Sequence, residues 1–337
     1  MSQTKLEKLF YTIGLIDNVS GGPTNKILKN IDKMNSHAKN AFSGIAKGGA
    51  GLVGVGFGMK KLTDQTIDFN RALGEVDSLD VQSDAMKILA RTALKQGPLY
   101  GQGAAEFIRA SYDIQSAIAG LDGSELADFT KASSILAKAT KSDAATITSF
   151  TGTMFGIFQN QAKKMGISRW VEILAGQTAT AVQMFKTTGS EISAAFSGVG
   201  AAGTAHGINM AEQMAILGSL QATMKGAEAA TKYKAFLGGV GKAQKALGLT
   251  FVDSQGKMLP MVDILNRIKG KFGEIDTVAE SDLLQKAFGT KEAVSLIKQL
   301  MLNTDGLSDS IEKLNDVTGM GKALEMANKQ TDVWMRM

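Results

Sequence analysis

No cysteine occurs anywhere in the sequence. That absence excludes disulfides, thiolate metal sites and cysteine nucleophiles together, and leaves the redox compartment open. Proline is nearly missing as well, with three residues against seventeen methionines. The balance points to helices joined by glycine-marked turns, because proline is excluded from helix interiors and Met propagates them well. Aromatic residues make up only 6%, so the core is expected to consist mainly of Ala, Leu, Ile and Met. Such small side chains let helices approach closely but each buries little apolar area. Modest intrinsic stability follows, unless the chain packs against copies of itself or a surrounding wall. Histidine is limited to His37 and His206, far apart in sequence, whereas metal sites want several ligands at regular spacing.

Long apolar runs are also lacking. A helix crossing a bilayer needs about 20 consecutive apolar residues, and the uncharged stretches 144–162 and 192–211 are diluted by Ser, Thr, Gln, Asn and Gly. The N-terminus, MSQTKLEKLFYTIGLID, has too short an apolar stretch for a secretory signal and no small-residue cleavage site. A net charge of +5 is spread among interleaved acids, which reads as an ordinary solvated surface with no specific nucleic-acid partner.

What the sequence does contain is helical periodicity. Residues 8–16 are the one good strand candidate. Ile27, Ile31, Met34, Ala38, Phe42 and Ile45 then mark one face of a helix. Residues 48–59, GGAGLVGVGFGM, read as a hinge, since each Gly costs helix on the order of 1 kcal/mol against Ala. From residue 60 onward helix follows helix. Ser83, Ser124, Ser142 and Ser168 are the expected openings of successive helices, Thr290 of a later one. Asn209 and Glu212 have capping-box spacing, with the carboxylate able to reach back to the Asn209 amide. Residues 123–145 and 207–229 share an order of Gly, capped helix, Lys and Ala-rich helix start, which duplication and chance explain equally well. The C-terminal stretch ends within a helical pattern carrying Leu324, Ala327, Thr331 and Trp334, without a closing signal, so the helix is expected to continue beyond it.

Three motifs invite chemistry. Gly198-Val199-Gly200-Ala201-Ala202-Gly203 matches the dinucleotide fingerprint letter for letter, but that site requires a preceding buried strand, and SEISAAFS reads as helix. A small-residue interhelical loop is the expectation. Asp77, Asp80 and Asp84 lack the Gly and distal Glu of an EF-hand and read as capping and turn residues. Met210, Met214, Leu217 and Met224 have helical spacing and could form an adaptable binding face, but core filling is the expected role.

The most informative stretch is 192–237 together with FVDSQGKMLPMVDIL. A small-residue loop leads into a capped helix, a second helix, a Gly turn and a Pro-started helix. This order, with Gly207, Ile208, Glu212, Gly226, Ala229, Leu237, Asp253, Gly256, Pro260, Phe288, Gly289 and Ala293 at the matching positions, resembles the core region of phage tail tape-measure proteins. The resemblance covers roughly residues 70–305. It implies a structural scaffold in the tail tube lumen, assembled in the host cytoplasm, which templates tube assembly and tail length and is released on infection. Implied partners are tail tube proteins, tail assembly chaperones, baseplate or tip proteins and further copies of the chain. The host membrane is a further contact that the resemblance leaves room for during ejection. A membrane-perturbing helical protein is the alternative reading, drawn from residues 48–59 and the uncharged runs. No catalytic, cofactor-binding or metal-ligating residue is assigned, and neither a cofactor nor enzymatic activity is expected. The expected fold is all-α, a helical bundle of paired hairpins with a short N-terminal strand and arm. Its parts are an arm over 1–47, a Gly-rich hinge over 48–59, a core helical domain over 60–305, and the start of a C-terminal helical extension over 306–337.

Overall fold

A computed structural model describes residues 66–96 and 103–335. The expected strand at 8–16, the arm helix, the Gly-rich segment 48–59, His37 and the Gly97-Pro98 stop lie outside those residues. Among the described residues the protein is all-α, with 15 helices and no sheet. Helix α1 spans 66–77, and α2 (Ser83–Gln96), α3 (Ala104–Ala117), α4 (Gly123–Thr140), α5 (Ala144–Met165) and α6 (Ile167–Phe185) follow. Next come α7 (Gly189–Val199), the single turn α8 (Ala202–Ala205), α9 (Met210–Gln221) and α10 (Gly226–Leu247). The chain closes with α11 (Met261–Phe272), α12 (Val278–Phe288), α13 (Lys291–Met301), α14 (Thr304–Asn315) and α15 (Gly321–Met335).

Two helices organise the packing. Helix α4 is surrounded by α2, α3, α5, α6 and α15, and α10 is surrounded by α7, α9, α12 and α13. Helix α6 joins the two halves by packing on α4 and α5 on one side and on α9 on the other, so a single hydrophobic cluster runs through both. The scarce aromatics are concentrated rather than scattered. Trp170 stacks on Phe129 at 6.2 Å and meets Phe155 edge-on at 5.9 Å. In the other half Phe288 stacks on Phe236 at 5.4 Å and on Phe251 at 6.3 Å. Such pairs add about 0.5–1.5 kcal/mol beyond their buried area, a useful supplement where Ala supplies so much of the core.

Elsewhere glycine substitutes for bulk. A Cβ on Gly176 of α6 would collide with the Gly319 carbonyl oxygen before α15, and one on Gly239 of α10 with the Phe288 carbonyl oxygen. These backbones touch because nothing stands between them. Helix α5 is kinked at Phe158, where φ is −112° and ψ 24°.

Helix starts correct several expectations. Ser124 lies inside α4, which is capped by Asp122 in a full capping box with Glu125. Ser142 stands beside the true cap of α5, Asp143, which accepts from Thr146 N at 2.7 Å. Serine loses in both cases to an adjacent aspartate, whose charge suits the positive end of the helix dipole. Helix α2 begins at Ser83 itself, with the Met86 amide bonded to the Gln82 carbonyl, and α6 begins before Ser168, after Gly166. Thr290 caps α13 as expected, accepting from Ala293 N. The echo between 123–145 and 207–229 breaks at its lysines: Lys141 closes α4 in a left-handed conformation, whereas Lys225 is the extended residue before α10. Residues 306–335, within the stretch expected as the start of a C-terminal extension, pack on the bundle. Leu307, Leu314, Ala323 and Ala327 are buried, Gln177 of α6 donates to the Leu314 carbonyl at 2.8 Å, and α15 packs on α4 and α6.

Candidate functional site

Glu212 of α9, Met261 of α11 and Tyr233 of α10, two of them outside the sequence motif, meet at one buried junction. Asn209 caps α9, its side-chain oxygen accepting from Glu212 N at 2.8 Å. That is half of the expected capping box. The other half is absent because the Glu212 carboxylate does not return to Asn209. It accepts instead from the backbone N–H of Met261, at 2.6 Å and 49 residues further along the chain. Met261 is the first residue of α11, after Pro260. A helix start leaves its first amides without intrahelical partners, and a carboxylate there satisfies one while meeting the positive end of the dipole.

Glu212 is 7% exposed. Burial raises the Glu212 carboxyl above its ordinary value, the Met261 amide pulls it back, and the nearby Asp263 charge pushes it up further. Tyr233 of α10 is fully buried near this charge. Burial, and secondarily Glu212, raise its phenol well above the ordinary value, so it stays neutral. Its hydroxyl has no hydrogen-bond partner among the described residues.

The neighbouring motif positions are structural in the same sense. The Gly226 N–H, at the start of α10, donates to the Glu191 carboxylate at 2.5 Å, and a Cβ on Gly226 would strike the Glu191 carbonyl oxygen. The loop before α11 is a short hairpin. The Asp253 N–H donates to the Lys257 carbonyl, the Asp253 side chain accepts from Gln255 N and Lys257 N at 2.8 and 2.9 Å, and Gly256 supplies the positive φ of 78°. A single bridge between Val252 and Met258 closes it. Gly289 ends α12 at φ 89°, placing Phe288 in its aromatic stack, and Ala293 is buried beneath.

The chemical motifs fall into place around this junction. Gly198–Gly203 runs from the end of helix α7 into the single turn α8, so helix occupies the place where a dinucleotide site needs a strand. Gly203 lies against the Gln213 side chain, which donates to the Ile208 carbonyl at 2.8 Å. His206 pairs its Nδ1 with the Ala202 carbonyl oxygen at 2.8 Å. Met210, Met214 and Leu217 are buried and fill the core, as expected, whereas Met224 lies beyond the end of α9 and is half-buried against the core. Asp77 ends α1 and Asp80 lies in the turn that follows, both exposed, and the Asp84 carboxylate pairs with Lys87 at 2.9 Å. Among the described residues no group of His, Cys, Asp or Glu could hold a metal ion. The sequence pattern hid one connection, Glu212 to Met261, since its i+3 spacing to Asn209 has a local explanation that the fold does not use. Pro260, which positions the Met261 amide, was the available signal.

A sequence model of the family described as phage-related minor tail protein matches residues 90–289. The match takes in the second half of α2, all of α3 to α12, and the Glu212–Met261 contact. No curated protein and no solved structure matches the chain.

Proposed function

This chain belongs to the family of phage-related minor tail proteins, and we propose that within the tail it is the tape-measure protein. Membership makes it a tail component of the virion, associated with other tail proteins. The proposal adds the place and the task. The chain occupies the tube lumen, contacts tube subunits, assembly chaperones and the tip or baseplate, and self-associates there in several copies. Its role is structural rather than catalytic: it templates assembly and leaves through the tube at infection.

The observation that supports this reading is that the motif residues with a resolved role serve packing and backbone geometry: Glu212 holds the Met261 amide, Gly226 admits the close approach to Glu191, and Gly256 and Gly289 supply positive φ. Within that role the bundle is a folded unit and not the ruler. Even a straight helix of 337 residues would reach only about 500 Å at 1.5 Å per residue, and residues 66–96 and 103–335 fold into fifteen helices instead.

The test is an in-frame deletion of about 30 residues within α9–α13, with tails measured by electron microscopy. Loss of assembly, or tails of unchanged length, is expected. Shortening by about 45 Å, the helical rise of the deleted residues, would show that this region is extended ruler. A liposome-leakage assay on the chain addresses the membrane-perturbing alternative, whose segment 48–59 lies outside the described residues. No helix among the described residues is long and apolar enough to cross a membrane, and no leakage is expected.

A further inference from the structure

Beside the kink of α5 lies an open crevice of about 770 Å³. Its apolar floor is formed by Ile157, Phe158 and Ile208, and its rim carries Lys164 and Arg169. Both cations are exposed, and neither has a carboxylate partner among the described residues. Lys164 stands near the end of α5 and Arg169 in the first turn of α6, at the corner between the two helices.

The opposite pattern stands on another part of the same chain. The turn after α1 is closed by the Asp80 amide bonding to the Asp77 carbonyl at 3.1 Å, with Asp80 held at φ 56°. It presents Asp77 and Asp80, both exposed, on either side of Leu79. Leu79 is half-buried and lies outside the hydrophobic core cluster, and neither carboxylate is paired among the described residues. Acid, apolar, acid at a tight turn is the complement of a crevice with an apolar floor and two cations. The turn does not line the crevice of its own chain.

We propose that the crevice at the α5 kink receives the 77–80 turn of a second copy of this chain, Leu79 entering over Phe158 and Ile208 while Asp77 and Asp80 meet Lys164 and Arg169. Knob and hole are different patches of one surface, so the contact is heterologous, and repetition leads to a ring or an open array rather than a twofold dimer. The charges are solvent-exposed, so the contact weakens with salt. The inference deepens the self-association in the tail reading. It is tested on the isolated chain, and its failure leaves the lumenal role standing.

Sedimentation velocity of the full chain is expected to show concentration-dependent association at low salt, lost near 1 M salt, where the screening length is about 3 Å. K164E/R169E and D77K/D80K should each be monomeric, because each chain then meets its own copies with like charges. Mixed in equal amounts they should associate again, since every contact between unlike chains pairs opposite charges. Matching circular dichroism melts establish that the variants fold, as all four side chains are exposed. Should either variant fold poorly, L79S in the otherwise unchanged chain must still weaken association. A monomeric parent, association unaffected by a charge reversal, or a mixture that stays monomeric would each overturn the proposal.

Discussion

Removing the Glu212 side chain should be among the most damaging single changes in the bundle, and the damage should come from a lost acceptor rather than a lost charge. In Glu212→Ala the Met261 N–H loses its only partner at a position that is itself buried. An orphaned buried donor costs about 1–3 kcal/mol, and the cavity left by the missing side chain adds to that. A loss of about 2–4 kcal/mol is therefore expected. In Glu212→Gln the amide oxygen can take the carboxylate's place against Met261, and the charge that burial disfavours is gone. That variant should stay within about 1 kcal/mol of the parent, the scale of one net hydrogen bond. The pH dependence separates the two effects. Burial raises the carboxyl of folded Glu212 above its unfolded value, so the charged form penalises the fold at neutral pH. As pH falls through the folded value toward the ordinary 4.5, protonation removes that penalty, and the parent should gain stability relative to Glu212→Gln. Urea unfolding of the three proteins at neutral pH and near pH 5 measures all of this. If Glu212→Gln lost as much as Glu212→Ala, the acceptor argument would be refuted. If Glu212→Ala unfolded like the parent, the junction would not support the fold at all.

Three further outcomes are expected. Asn209→Ala should cost about 1 kcal/mol, the usual worth of an N-cap, since it removes the acceptor of Glu212 N; thermal melts at matched oligomeric state check this. Asp122→Ala should cost a similar amount at neutral pH. The Glu125 amide and Ser124 hold the Asp122 carboxyl below its ordinary value, so its contribution is present above the unfolded value and fades as pH falls through the folded one. The two proteins should therefore converge in acid, and a constant gap would count against the cap. Gly226→Ala must push α10 away from the Glu191 carbonyl, an overpacking cost of about 1–3 kcal/mol, although Ala is the better helix former; a melting temperature at or above the parent's would show that the approach is loose.

Sequence alone determined the features set by neighbours three or four residues apart. The all-α class follows from apolar periodicity and scarce proline, the Thr290 cap from its own i+3 amide, the Pro260 start of α11 from its fixed φ, and the buried Met210–Met214–Leu217 face from helical spacing. Each is a local interaction between residues whose separation the helix itself dictates. Tertiary structure decided what those local rules left degenerate. Glu212 had an acceptor's choice between the Asn209 amide three residues back and the Met261 amide 49 residues on, and the fold brought the distant one within reach. Likewise, helical pattern did not tell that 306–335 packs on the bundle; the Gln177 bond to Leu314 and the glycine contact between Gly176 and Gly319 join elements that share no sequence period. Gly226 and Gly238 are alike as letters within helix α10, yet one faces the Glu191 carbonyl and the other open space. Which side of a helix meets a partner is a property of the packed whole, because close approach is measured across the core and not along the chain.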